Sequence, residues 1–165
     1  MTFEELIQEA GAVQSIEKKA ITNHGVLNEA FAYAKPSSFS RGLHLEFGNV
    51  VVLLISGTAS IDEHGDTVHV GDLRAQCQRT FHNIAGLLAS EGATWKDIVR
   101  TTCYLRDIER DYAAFNEERT SFYAGQGLDP LPASTGIQAI LCRPDLLVEI
   151  EAIAIFRKAA TTASN

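Results

Sequence analysis

Residues 49–55 read NVVVLLI, seven positions without a charge, closed by Ser56-Gly57. A run this short and this rich in Val, Leu and Ile suits a β-strand buried on both faces. That requirement constrains the fold more than any other feature, because both sides of the sheet holding this strand need cover. The closing run, Leu147 to Phe156, repeats the demand with alternation. Val148, Ile150, Ala152 and Ala154 face one way, and Glu149, Glu151, Ile153 and Ile155 face the other.

Helices that could supply the cover are few. From Asp72 to Gly92, the residues Leu73, Cys77, Phe81, Ile84 and Leu88 recur on one helix face, with Asp72 as N-cap and Gly92 as C′ stop. A second helix is predicted from about Ile108 to Ala124, with Tyr112, Phe115, Arg119 and Phe122 along a stripe. Between them, residues 97–106 have β character, with Val99, Thr101, Cys103 and Leu105 on one side. The turn 62–66 is read as a hairpin loop leading into a strand over Thr67 to Val70, and another strand is expected over Ser134 to Leu141. The first 19 residues read as a helix, with Phe3, Leu6, Ile7, Ala10 and Val13 at helical spacing. The order ββαβαββ implies one α+β domain, a mixed sheet with two helices on one face. The uncovered face then calls for self-association, with sites where subunits meet.

Composition bounds the function. A chain of 165 residues and 18.0 kDa, 45% hydrophobic and 21% charged, can build the core of one domain. Its formal charge of −7 disfavours nucleic-acid and anionic-membrane partners. No run of 18 apolar residues suggests a membrane span, and the acidic start MTFEELIQEAG is unlike a signal or transit peptide. Three cysteines without a CxxC argue against a disulfide framework, so a reduced, cytoplasmic setting is expected. The five histidines form neither HxH nor HxxxH, and no metal site is expected. No nucleotide-binding glycine loop or GxSxG elbow occurs.

The chemistry concentrates near the C-terminus. A carboxylate on an otherwise apolar strand is either desolvated, which raises its pKa toward acid/base use, or placed at an exposed end beside an arginine. Glu149 is the preferred catalytic candidate and Glu151 the less favoured one. The loop LCRPD places Cys142, Arg143 and Asp145 ahead of that strand; Cys142 is either a small buried hydrophobe or part of a site. Arg41, in PSSFSRG, is either a carboxylate or phosphate ligand or a solvated side chain. Asn116 follows Phe115 on the second helix, while Ser134 and Gly136 open a strand with small side chains that leave room for a ligand.

Together these motifs resemble the Rid (reactive intermediate deaminase, YjgF/UK114) family. The resemblance rests on ISGTAS at 55–60, Gly71-Asp72, the helix Gln76 to Glu91 with Asn83-Ile84, GATWKDIVRTTCYL at 92–105, Phe115-Asn116, LPAS at 131–134 and VEIEAIA at 148–154. It divides the chain into an N-terminal helical or extended extension (1–35), a Rid-like domain (36–157) and a tail (158–165). It implies a chorismate-mutase-like α+β fold and a homotrimer with three clefts between subunits. In active deaminases of the family an arginine grips the substrate carboxylate where Ser134 stands here, and many members have a cysteine at the position of Gly136. Asn116 and Glu149 match family positions; the glutamate there orients the water that attacks an imine.

The segment STGIQA…LCRPDLLVEIEA, with FSRG and SGTAS, also resembles the Rid-like catalytic half of chorismatases, which remove pyruvate from chorismate. Their catalytic glutamate matches Glu149, and in one subgroup a cysteine matches Cys142. The resemblance implies a cofactor-independent, trimeric enzyme acting on a small carboxylated enol ether or enamine. Glu149 would be the general acid/base, Arg41 and Arg143 would hold the carboxylate, Asn116 and the backbone near Gly57 would position polar atoms, and Cys142 would shape the pocket. The alternatives are a 2-imino-acid deaminase with a relocated anchor and a non-catalytic metabolite-binding trimer.

Overall fold

A computed structural model describes residues 16–34 and 36–158. Six strands form one sheet: β1 (Glu17–Ala20), β2 (Gly42–Phe47), β3 (Val50–Ala59), β4 (Ile98–Leu105), β5 (Ala133–Gln138) and β6 (Val148–Arg157). Two helices, α1 (Leu73–Ser90) and α2 (Ile108–Gln126), alternate with β3, β4 and β5. The spatial order is β1-β2-β3-β6-β4-β5. Only β4 and β5 pair in parallel, as the α2 crossover between them requires. β6 inserts between β3 and β4, antiparallel to both, so the last of these six strands in sequence becomes a central one.

The core lies between the helices and one face of the sheet. Val51, Leu53 and Ile55 of β3 and Val148, Ile150, Ala152 and Ala154 of β6 are buried with Cys77, Phe81, Ile84 and Leu88 of α1. The alternation read along β6 is the one observed. Asp72 caps α1 by accepting from the Ala75 N–H at 3.0 Å, and Gly92 adopts φ +73° beyond its end. Phe81 stacks on Phe122 with centroids 4.5 Å apart and meets the edge of Trp95 at 5.8 Å, joining the two helices. Burial pushes the Cys77 thiol pKa up to about 12, so it serves as packing.

Several expectations are corrected. The first hairpin is β2–β3, with Phe47 opposite Val50 across the turn Gly48-Asn49 and Gly48 at φ +63°. Thr67 to Val70 forms no strand; Thr67 makes a single bridge to Ile61. The alternation of Leu43, His44, Leu45 and Glu46 was the overlooked signal. Residues 17–20 form an edge strand rather than the end of a helix, and the remainder of that predicted helix, residues 1–15, lies outside the described residues. Val99 is 43% exposed although Thr101 is fully buried, because a bulge between Ile98 and Arg100 turns it outward. The strand expected over Ser134 to Leu141 is shorter, ending at Gln138. The segment 21–34 packs on the same core, with Ile21, Leu27 and Ala30 buried.

Opposite the helices, Leu54 and Ile155 stay 37% and 43% exposed. No helix among the described residues is long and apolar enough to cross a membrane.

Candidate functional site

A cleft of about 620 Å³ opens where the end of β3, the start of β6 and the loop 142–146 converge. Arg41, Gly57, Cys142, Arg143 and Glu149 all line it, joined by Tyr33 and Phe39. The register explains how they meet. β3 carries one extra residue between Ile55 and Thr58, opposite Ala152 and Ile150, and this bulge brings Gly57 against the Glu149 side chain. A Cβ on residue 57 would collide with Glu149 Oε1, so only glycine leaves the carboxyl where it is.

Ser56 fixes the opposite wall. Its N–H donates to the Arg41 carbonyl at 3.0 Å, and its hydroxyl donates to the Ser40 carbonyl at 2.7 Å. The loop ahead of β6 is held equally firmly. Gln76, fully buried on α1, donates to the Asp145 carbonyl at 2.9 Å and accepts from the Leu147 N–H at 2.8 Å. Arg106 donates to the carbonyls of Leu146 and Arg143, and the Thr67 hydroxyl donates to Asp145 Oδ1 at 3.1 Å.

Glu149 makes no hydrogen bond or ion pair among the described residues, and its pKa is raised, first by desolvation and then by the nearby charge of Glu151. A carboxyl in that state can hold its proton above the usual carboxylate range. Glu151 itself is exposed, nearer the solvent alternative. Cys142 is exposed at the mouth of the cleft, which removes the reading of it as a buried hydrophobe.

Arg41 is only 5% exposed, which excludes the solvated alternative. Its Nε and Nη2 donate to the Asn28 carbonyl at 2.9 and 2.8 Å, and Nη2 also donates to the Tyr33 hydroxyl oxygen. Arg143 donates to the Gly65 carbonyl at 2.7 Å and to Thr67 Oγ1 at 3.4 Å. Every one of these acceptors is a neutral oxygen. Burial lowers the Arg41 pKa, the charge of Glu29 opposes that shift, and Arg143 adds to it; a guanidinium this basic stays charged throughout. Among the described residues neither guanidinium contacts a carboxylate, and both share the cleft with Glu149.

Asn116, Ser134 and Gly136 do not reach this cleft within one chain. Asn116 accepts from Arg119 at 2.6 Å, and Arg119 also donates to the Ser134 hydroxyl at 3.1 Å, at the β5 edge of the sheet. Gly136 lies beside the Tyr112 ring. Sequence reasoning missed Tyr33, Phe39, Gln76 and Arg106. Gln76 was discoverable as a polar residue beside the apolar stripe of α1; Tyr33 and Phe39 left no periodic signal. No cluster of His, Cys, Asp and Glu suited to a metal occurs among the described residues.

The sequence model described as Endoribonuclease L-PSP matches residues 32–156. The chain is 33% identical over 103 residues to the 3-aminoacrylate deaminase RutC of Acinetobacter baylyi, covering 62% of this chain and 78% of that protein. It is 30% identical over 110 residues to a RutC family protein of Pyrococcus abyssi, covering 67% and 81%. The crystal structure of the Escherichia coli YjgF gene product superposes with a TM-score of 0.67 at 24% identity, covering 84% of this chain and 99% of that one.

Proposed function

The chain belongs to the endoribonuclease L-PSP (Rid) family, and from that premise we propose that it is an acid/base hydrolase of a small carboxylated enamine, with Glu149 as the reacting side chain. The observation that carries the reading is the desolvated Glu149 carboxyl, without a hydrogen-bond partner among the described residues, in the same cleft as two guanidinium groups. Similarity to a 3-aminoacrylate deaminase favours an enamine among the unsaturated acids.

Arg41 and Arg143 take the substrate carboxylate in this reading. The protonated Glu149 delivers its proton to the electron-rich alkene carbon, converting the enamine to an iminium. The resulting carboxylate then accepts a proton from water as the water oxygen bonds to the iminium carbon. Collapse of the carbinolamine breaks the C–N bond, releases ammonia and leaves a carbonyl. An enol ether follows the same three steps with an alcohol as leaving group, which keeps chorismatase-like hydrolysis within reach of this site. Neither sequence of steps calls for a cofactor.

The assembly proposed is a homotrimer. The half-exposed face with Leu54 and Ile155 would be covered by neighbouring copies, and the edge with Asn116, Ser134 and Gly136 would complete a cleft on an adjacent subunit.

The test is Glu149→Gln. Ammonia release from enamino acids made in situ (2-aminoacrylate and 3-aminoacrylate) should fall by about 10²-fold or more, as expected for loss of a general acid/base. Turnover within a few-fold of the parent removes the assigned role. A parent rate equal to that of buffer on enamines and enol ethers alike, with carboxylate binding intact, identifies a metabolite-binding protein instead.

A further inference from the structure

Arg41 and Arg143 share one aromatic ring. The Arg41 guanidinium carbon lies 4.9 Å from the Tyr33 centroid and that of Arg143 lies 5.7 Å from it. Two like charges set against one ring repel; burial is the main cause of the lowered Arg41 pKa, and the charge of Arg143 adds to it. The face of an aromatic ring offsets that repulsion, because its quadrupole attracts each cation. Tyr33 is itself held from two sides. Its hydroxyl oxygen accepts from Arg41, and its ring packs so closely on Gly65 that a Cβ there would collide with it. Gly65 also has φ +92°, a conformation that favours glycine, and its carbonyl is the acceptor for Arg143. One ring therefore contacts both cations and the turn to which the second is anchored.

We infer that Tyr33 is the positioning residue that keeps the two guanidinium groups together as one carboxylate-binding pair and so sets the preference of the cleft for an anionic over a neutral ligand. It acts through the arginines and does not touch the reacting carbon. Phe39, 5.3 Å from the Arg41 guanidinium carbon, supports Arg41 alone and cannot substitute for the shared ring. The inference rests on the carboxylate-binding reading above, not on the role of Glu149. Loss of Tyr33 should therefore weaken binding and raise KM while kcat, which depends on Glu149, changes little.

The experiment compares pyruvate, a stable acid with its carboxylate beside an sp² carbon, with its neutral analogue pyruvamide. Both are titrated by saturation-transfer NMR into the full-length parent, Tyr33→Phe, Tyr33→Leu and Glu149→Gln. The parent should prefer pyruvate. Tyr33→Leu should bind pyruvate about tenfold more weakly with pyruvamide nearly unchanged, and Tyr33→Phe, which keeps the ring, should lose only about two- to threefold. A merely structural role would weaken both ligands together, and that result overturns the inference. So does Tyr33→Leu binding pyruvate within about twofold of the parent, or a parent with no preference for pyruvate up to about 50 mM. Glu149→Gln should retain the preference. A failure of Glu149→Gln to lose turnover would then count against the catalytic reading and leave the Tyr33 result standing.

Discussion

Substituting Gly57 by alanine tests the link between bulge and carboxyl most directly. The added Cβ would collide with Glu149 Oε1 and would lie 3.0 Å from its Cδ and 3.4 Å from its Cγ. No backbone atom is among these near contacts, so the carboxyl can relieve the collision by rotating away. An off-rotamer side chain costs about 0.5–1.5 kcal/mol. For a chain of this length that corresponds to a Tm lowered by about 2–4 °C per kcal/mol, a small loss. The chemical effect should be far larger, since displacing a reacting group by about an ångström costs about 10²-fold in rate. Circular-dichroism melts and ammonia release from in situ enamines therefore report opposite magnitudes. Gly42→Ala is the contrast, because its Cβ would lie 2.7 Å from the Leu54 carbonyl oxygen and 2.9 Å from Ile21 Cδ1. A backbone atom cannot rotate aside, and about 1–3 kcal/mol of overpacking strain should appear as lost stability. Gly57→Ala with parental turnover would refute the placement of Glu149 as the reacting group. A Tm lowered as much by Gly57→Ala as by Gly42→Ala would refute the argument that the carboxyl rotates away.

The raised Glu149 pKa predicts that activity limited by proton delivery persists above the ordinary carboxylate range and falls as pH rises through the raised value, and that Glu149→Gln loses this limb of the rate profile. The stability sign follows from the same shift. The folded state favours the protonated form, so the contribution of Glu149 is full below its unfolded pKa and is lost as pH rises through the folded one. Urea titrations across that window should show Glu149→Gln gaining on the parent; a constant difference between the two would contradict the shift. His44, 6% exposed, lies 2.7 Å from Glu91 Oε2 and 2.9 Å from Glu46 Oε1, tying β2 to the end of α1. His44→Ala should cost about 1–3 kcal/mol in denaturant melts, because two partly buried carboxylates lose a partner, and a loss below about 0.5 kcal/mol would show the network to be idle. Sedimentation equilibrium at micromolar concentration should give three times the 18.0 kDa chain mass, and Leu54→Lys with Ile155→Lys should give monomers; a monomeric parent removes the trimer.

Much of the fold was legible because burial imposes periodicity. The alternation along residues 148–156, the four-and-three spacing along Leu73 to Leu88, and the caps Asp72 and Gly92 each write a local pattern that a tertiary neighbour then satisfies. The β2 hairpin and the short β1 were harder to read, since each carries few residues and mixes charge with apolar side chains. The bulge at Val99 left no local trace, because an extra residue in one strand is defined by its partner strand.

The candidate site divides in the same way. Glu149 stood out by itself as a carboxylate on an apolar strand, and the sequence alone raised both arginines as candidates. Their convergence with Gly57 and Tyr33 came only from tertiary structure, through a bulge in β3, a glycine that leaves room for the carboxyl, and an N-terminal segment that carries a ring beneath two cations. Residues more than 100 positions apart meet there. Sequence periodicity reports which face of an element is buried. Pairing register and loop packing decide which faces meet, and the desolvation that raises the Glu149 pKa exists only after they do.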